Sequence, residues 1–257
     1  MSGTRVVVTG AGHGIGRAIA ARMAAGGARV VVNDLDAAAA RAVAAEVGGH
    51  AVPGDVASGE GVASLLDAAR ELFGRPDIYF SNAGVDAGRG LAALDSDWAA
   101  SIEVNLMAHV RAARLLVPEW AEAGGGRMVI TASAAGLLTM LGLPAYSATK
   151  HAAVGFAEWL SASYRHRGIV VQAICPQGVK TRMLDGSGPL RDLLSHDTAL
   201  EPAEVAEAVW QGLQDDRFLI LPHPQVQDYY TRRAAETDRW LGGMNKLQRR
   251  LEDAGGL

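Results

Sequence analysis

A tyrosine and a lysine in the stretch YSATK, residues 146–150, form the first candidate for chemistry. Tyr146 and Lys150 are four residues apart, so on a helix they share a face. A free tyrosine has a pKa of about 10 and is a poor base near neutral pH, but a nearby ammonium favours the phenolate and lowers that pKa. The pair can therefore serve as a general acid and base on an alcohol or a carbonyl.

The second candidate is the glycine-rich stretch TGAGHGIG, residues 9–16, between a β-branched run and a helical run. Gly10, Gly14 and Gly16 permit a tight turn and a close approach of the backbone to a ligand. A helix N-terminus adds unpaired N–H groups and a partial positive charge, which together suit a pyrophosphate. His13 either contacts the pyrophosphate or only spaces the glycines, and the sequence leaves both open.

An acidic residue follows the next apolar run. Asp34 stands 34 − 16 = 18 residues beyond Gly16. An acid about 20 residues beyond such a turn can accept both hydroxyls of an adenosine ribose and would repel a 2′-phosphate, so the spacing predicts NAD rather than NADP. In the alternative interpretation, Asp34 caps the helix that begins near Asp36.

Four further motifs follow in order along the chain. They are SNAG at 81–84, EVNL at 103–106, Ser133 after the run RMVIT, and CPQGVKT at 175–181. With the pattern T-G-x-x-x-G-x-G at 9–16 and the Tyr–Lys pair, this set resembles the short-chain dehydrogenase/reductase family over about residues 1–221. Two positions depart from the family pattern: Ser81 replaces an asparagine, and Gln177 separates Pro176 from the usual glycine.

The resemblance implies a role for each matching residue. Tyr146 would be the acid/base, Ser133 would hydrogen-bond the substrate oxygen, Lys150 would bind the nicotinamide ribose and lower the pKa of Tyr146, and Asn105 would hold a water that links Lys150 to solvent. The catalytic residues are thus predicted to be Asn105, Ser133, Tyr146 and Lys150. The predicted NAD-binding residues are Gly10, His13, Gly14, Ile15, Gly16, Asp34, Leu35, Asp55, Val56, Asn82, Ala83, Gly84, Tyr146, Lys150, Pro176, Val179 and Thr181.

Apolar residues flank the candidate catalytic residues. The stretch between Ser133 and Tyr146 is mostly apolar, and a glycine-containing apolar segment, 182–201, which we expect to be mobile, follows Thr181. These features predict a hydrophobic secondary alcohol or its ketone as substrate, although the same leucines would also suit an oligomer contact or a lid. The predicted substrate-binding residues are Ser133, Met140, Tyr146, Met183 and Leu184.

Two alternatives stay open. One is a dehydrogenase of hydroxysteroids or other polycyclic alcohols, which would differ in pocket size and not in mechanism. The other is a non-catalytic NAD-binding regulator on the same fold. Relatives of that kind usually lose the tyrosine or the lysine, and this chain has both.

Buried-type strands and amphipathic helices alternate along the chain and would position these residues. Nearly continuous apolar runs, typical of strands buried on both faces, alternate with segments of helical period. This order predicts a single doubly wound Rossmann-type α/β domain with a mostly seven-stranded parallel sheet over 1–221. A polar tail, 222–257, would pack on the same domain or on a neighbouring subunit, so that its Tyr229, Tyr230 and Trp240 either cover the site or reach that subunit. The predicted strands are 5–9, 29–33, 50–54, 77–81, 127–131, 169–175 and 217–221, and the predicted helices are 14–25, 36–47, 58–73, 97–122, 146–166 and 202–213.

Composition narrows the functional class. The 257 residues carry 24 basic and 28 acidic side chains, a net charge of −4, so nothing favours nucleic acid or an anionic membrane as a partner. The single cysteine, Cys175, fits a reducing compartment, and neither a signal peptide nor a membrane span is predicted. We therefore expect a cytoplasmic enzyme without a metal, and the resemblance implies a homo-oligomer, a dimer or a tetramer.

Overall fold

The structure is a computed structural model, and it describes residues 1–185 and 199–253. The segment 186–198 lies outside the described residues, together with Leu190, Leu193 and Leu194 of the predicted apolar segment. Residues 254–257 of the tail also lie outside them. In the described part of the chain, no helix is long and apolar enough to cross a membrane.

Seven parallel strands form one sheet, as predicted, in the order β3-β2-β1-β4-β5-β6-β7. Their valine- and isoleucine-rich sequences suit strands that are covered on both faces. The strands are β1 (Arg5–Val8), β2 (Arg29–Val32), β3 (His50–Ala51), β4 (Ile78–Ser81), β5 (Gly126–Thr131), β6 (Ile169–Ile174) and β7 (Leu219–Ile220).

Helices cover both faces of the sheet and divide the core into two layers. One layer packs α1, α2 and α9 against the sheet, and the other packs α3, α5 and α7 against it. The helices are α1 (Gly14–Ala25), α2 (Ala37–Val47), α3 (Gly59–Phe73), α4 (Asp95–Ile102), α5 (Ala108–Glu122), α6 (Ala135–Leu138), α7 (Pro144–Tyr164), α8 (Arg182–Asp185), α9 (Pro202–Asp215), α10 (Gln225–Ala235) and α11 (Thr237–Asp253).

The helix predicted over 97–122 is interrupted. A π-helical turn, Glu103–Met107, separates α4 from α5 and contains Asn105. The Asn105 amide binds the backbone of Val85 in both directions, donating at 2.8 Å and accepting at 2.9 Å. Such one-turn π segments often occur at functional sites, and periodicity in the sequence does not reveal them.

The third and seventh strands are shorter than predicted. β3 pairs over His50–Ala51 alone, although the N–H of Gly54 still donates to the carbonyl of Asp34 at 3.1 Å beyond the paired residues. The predicted tail contains two helices, α10 and α11, which the sequence analysis did not assign. α10 inserts the fully buried Val226 into the core.

The strand order reverses between β1 and β4, and ligands of doubly wound sheets bind beyond the carboxyl ends of the strands at such a point. Hydrogen bonds connect the ends of β1, β4 and β5 at this point. The Asn82 amide donates to the carbonyls of Thr9 and Gly10 at 3.0 and 3.1 Å, and its oxygen accepts from the Thr131 hydroxyl at 3.0 Å. Asn82 thus ties the turn after β1 to the end of β5.

Candidate active site

The glycine turn has the backbone geometry that a phosphate cradle requires. Gly10 and Gly14 have φ values of 59° and 52°, a region that favours glycine. A Cβ atom at Gly10 would lie 2.8 Å from the Ala83 Cα, and one at Gly16 would lie 2.2 Å from the Gly10 carbonyl oxygen. The turn therefore lies against the loop after β4 with no room for a side chain at either glycine.

Asp34 is held toward this turn. The Gly12 N–H donates to Oδ2 of Asp34 at 2.8 Å, and the Asp36 N–H donates to Oδ1 at 3.0 Å. Asp36 itself caps α2 by accepting from the N–H groups of Ala38 and Ala39. Asp34 is thus not the helix cap, and its carboxylate lines the cavity described next.

One cavity of about 670 Å³ gathers almost every residue singled out in the sequence. All the predicted cofactor and substrate residues line it, from Gly10 in the turn to Leu184 on α8. Asn105 does not line it and lies directly behind it. Leu35 lines the cavity with 75% of its side chain exposed, so an apolar surface adjoins the Asp34 carboxylate.

Ser133 and Tyr146 meet inside this cavity. Ser133 follows β5, where its hydroxyl accepts from the Ala135 N–H at 3.1 Å and donates to the Pro176 carbonyl at 3.4 Å. Pro144 occupies the first turn of α7, a position that suits proline, and Tyr146 follows within the same turn. The Ser133 side chain is close enough to the Tyr146 hydroxyl to act on it as a hydrogen-bond partner.

Lys150 lies one helical turn beyond Tyr146 and is 3% exposed. Its ammonium donates to the Thr131 carbonyl at 2.8 Å and lies 5.6 Å from the centre of the Tyr146 ring. Among the described residues no carboxylate forms an ion pair with it. A side chain at Gly84 would begin 3.4 Å from this ammonium and 3.3 Å from the Asn105 amide oxygen, so Gly84 lies between the two groups.

Burial dominates the electrostatics of the pair. It raises the pKa of Tyr146 to about 12, opposed by the hydrogen bond from Ser133 and reinforced by the Asp86 carboxylate. The expectation that the pKa of Tyr146 is lowered is therefore wrong for the free protein, because desolvation of the phenolate is the largest effect on this group. Burial also lowers the pKa of Lys150 to about 8.

The position at which Ser81 departs from the family pattern has a local partner. Ser81 Oγ lies 2.6 Å from Nδ1 of the fully buried His109, and burial lowers the pKa of that histidine to about 3. The imidazole is therefore neutral. Cys175 is buried behind Ser133, and burial raises the pKa of its thiol to about 12.

Tyr229 and Trp240, two tail residues that the sequence analysis expected over the site or at a neighbouring subunit, line the cavity, whereas Met244, Leu247 and Asp86 were missed. The C-terminal helices contribute Tyr229, Trp240, Met244 and Leu247 to its wall, and Asp86 lines it after the NAG motif. The spacing of Trp240, Met244 and Leu247 is that of one helical face, and this signal was available in the sequence. In the described residues no cluster of histidine, cysteine and acidic side chains could hold a metal ion.

Comparisons with known proteins show which family this chain is similar to. The family model described as short chain dehydrogenase matches residues 4–190. A 1-deoxy-11-beta-hydroxypentalenate dehydrogenase of Streptomyces exfoliatus is 37% identical over 230 residues, 86% of this chain and 83% of that protein. A cyclohexanol dehydrogenase of Acinetobacter sp. strain SE19 is 31% identical over 86% of this chain and 92% of its own length.

A solved structure supports the same assignment. The short chain dehydrogenase/reductase of Burkholderia phymatum, crystallised in complex with NAD, superposes with a TM-score of 0.85 at 30% identity. The superposition covers 92% of this chain and 95% of that one.

The turn itself provides a first test. Replacing Gly16 with Ala would place a Cβ 2.5 Å from the Asn82 amide nitrogen as well as against Gly10, so the turn must shift. We expect NADH affinity, measured by fluorescence titration, to fall at least about tenfold, which is about 1.4 kcal/mol.

A matched control separates this effect from a general response to alanine. Gly59, at the start of α3, has no atom within 4 Å of a built Cβ. Gly59→Ala should bind NADH like the wild type. Unchanged affinity in Gly16→Ala would remove the turn from the cofactor site.

Proposed function

Since the chain belongs to the short-chain dehydrogenase family, we propose that it is an NAD-dependent oxidoreductase that interconverts a hydrophobic secondary alcohol and its ketone. One observation carries the proposal. Ser133, Tyr146 and Lys150 converge in the same cavity as the glycine turn and Asp34. A candidate acid/base pair and a candidate nucleotide-binding turn thus line the same cavity.

In the oxidation direction, Tyr146 takes the proton of the substrate hydroxyl. Ser133 donates a hydrogen bond to the substrate oxygen and stabilises the negative charge that develops there. When bound, NAD⁺ supplies the hydride acceptor. In the reduction direction, Tyr146 returns the proton to the same oxygen.

The Lys150 ammonium has free donors beyond its bond to Thr131, and two hydroxyls of a ribose are suitable acceptors for them. We assign Lys150 to the nicotinamide ribose on this ground. Asn105 binds Val85 and Thr149 with its side chain, so we assign it to positioning the π turn behind Lys150. The water-mediated proton route stays a prediction.

Cofactor choice follows from Asp34. Its carboxylate lines the cavity at the end of β2, where it would accept the ribose hydroxyls of NAD and repel the 2′-phosphate of NADP. The remaining predicted cofactor residues, including His13, Asp55, Val56, Pro176, Val179 and Thr181, line the same cavity. The similar Burkholderia phymatum structure, with NAD bound, supports this choice.

The substrate is proposed to be a hydrophobic cyclic alcohol. Leu138, Met140 and Leu143 on one side and Met183 and Leu184 on the other make the catalytic part of the cavity apolar. The similar proteins are named for pentalenate and cyclohexanol, both cyclic. A polycyclic or hydroxysteroid substrate is the second candidate, because the C-terminal helices extend the apolar wall. A non-catalytic NAD-binding regulator is disfavoured, since Ser133, Tyr146 and Lys150 are all present.

Assembly and location are also proposals. Trp159 on α7 is 55% exposed, and Leu115 on α5 is 40% exposed. Large exposed apolar side chains on neighbouring helices suit a subunit interface. We propose a homo-oligomer, a dimer or a tetramer, that forms through this face and works in the cytoplasm. No metal is assigned a role.

Replacing Tyr146 with Phe tests the mechanism. The variant loses the acid/base hydroxyl and keeps the ring, so we expect NAD⁺-dependent oxidation of cyclohexanol, followed as NADH formation, to fall at least about 10³-fold. NADH binding should stay within about twofold. Tyr164→Phe, on the same helix, is the matched control and should keep wild-type turnover. Retained activity in Tyr146→Phe would contradict the mechanism.

Asp86 allows a prediction about pH. Its negative charge raises the pKa of Tyr146, so Asp86→Asn should lower that pKa. Oxidation needs the deprotonated phenol and rises with pH, and in this variant the rising limb of kcat/KM should move to lower pH. Asp95→Asn, an exposed acid on α4, should leave the profile in place. A shift to higher pH in Asp86→Asn would refute the electrostatic coupling.

A further inference from the structure

The C-terminal helix α11 has one apolar face. Trp240, Met244, Leu247 and Leu251 follow one another at intervals of four, three and four residues, which places them on the same side of the helix. We call these four residues the apolar stripe. Together with Gln248 they are the only partly buried residues of α11, and every other residue of the helix is exposed.

The stripe faces the candidate active site, and Trp240 also packs against the edge of the core. Trp240, Met244 and Leu247 line the same cavity as Ser133 and Tyr146. Leu251 packs against the small cluster formed by Ala135, Leu143 and Tyr146. None of the four is fully buried, as expected for side chains that form the wall of a ligand site.

The chain before α11 is fastened to the loop after β6. His223 Nδ1 accepts from the Gln177 N–H at 3.2 Å, and the Gln225 amide donates to the Gln177 side-chain oxygen at 3.1 Å. Gln177 is the residue that departs from the family pattern at this loop. The C-terminal extension, residues 222–253, is therefore attached at the position where this loop departs from the family pattern.

A second attachment lies on the substrate side. Arg233, near the end of α10, donates to the Leu137 carbonyl at 2.6 Å. The rings of Tyr229 on α10 and Trp240 on α11 lie 6.3 Å apart, so the two helices meet through aromatic side chains at the cavity. The extension is thus held at the loop after β6 and at α6, which precedes Tyr146.

From this arrangement we propose that the apolar stripe selects the substrate by size, and that the preferred class is a hydrophobic alcohol with two or more fused aliphatic rings. From Trp240 to Leu247 the helix rises about 10 Å, longer than one six-membered ring. A single ring held at Ser133 and Tyr146 would leave this wall unused, whereas a fused bicyclic body would extend along it. The inference rests on the proposed function and deepens it.

Two alcohols and three variants test the proposal. The alcohols are cyclohexanol and decahydro-2-naphthol, which has two fused rings, and kcat/KM is measured for both with NAD⁺. Trp240→Ala and Leu247→Ala remove parts of the stripe. Leu241→Ala is the control, because Leu241 is on the same helix, 55% exposed, and does not line the cavity.

The stripe variants should lose at least about tenfold in kcat/KM for the bicyclic alcohol, since loss of contact with even one methylene group costs about that much. They should lose less than about threefold for cyclohexanol, and the control should keep both values. Equal losses for the two alcohols, or no loss, would overturn the selective role of the stripe while leaving the dehydrogenase intact. Failure of the wild type to oxidise any alcohol would overturn the proposed function itself.

A measurement on the unaltered protein guards against misfolded variants. Hydrogen exchange of the backbone over residues 237–253 is followed in the presence of NAD⁺, with either 2-decalone or cyclohexanone added, because neither ketone can be reduced without NADH. Contact with the stripe should slow exchange in α11 with 2-decalone and not with cyclohexanone. Equal exchange with the two ketones would refute contact between the fused rings and this helix.

Discussion

The Lys150 ammonium is a buried cation without a carboxylate partner in the described part of the chain, and the candidate site depends on it. Burying a charge costs several kcal/mol unless other groups compensate. Here the Thr131 carbonyl provides one hydrogen bond, and the cost is visible as a pKa lowered to about 8. The ammonium can still donate hydrogen bonds to hydroxyl groups of a ligand, such as those that the ribose of NAD would supply.

The surrounding architecture holds this cation at the carboxyl end of the sheet. Thr131 ends β5, and its hydroxyl donates to the Asn82 oxygen, while the Asn82 amide secures the turn after β1. The candidate cofactor turn and Lys150 are therefore connected through two residues, Asn82 and Thr131, at the strand-order reversal. On the far side, α7 brings Tyr146 to Ser133, and the π turn at Asn105 supports the loop that contains Gly84.

Local patterns predicted much of this arrangement. The valine-rich runs indicated the parallel sheet, the glycine spacing indicated the cradle, and the interval of four residues placed Tyr146 and Lys150 on one face. Other features depend on tertiary contacts. The π turn at Asn105 forms against Val85, and the pKa of Tyr146 rises because the folded chain removes water from it. The hydrogen bonds between Gln177 and the C-terminal extension join residues that no sequence period relates.

Hydride transfer from the carbinol carbon is the central chemical claim, and an isotope experiment tests it most directly. Cyclohexanol with deuterium at C1 is incubated with the protein and NAD⁺, and the NADH formed is analysed by mass spectrometry and NMR. The account predicts that each cyclohexanone formed is accompanied by one deuterium at C4 of the nicotinamide. Cyclohexanone formed without deuterium in NADH, or no reaction with any secondary alcohol, would contradict it.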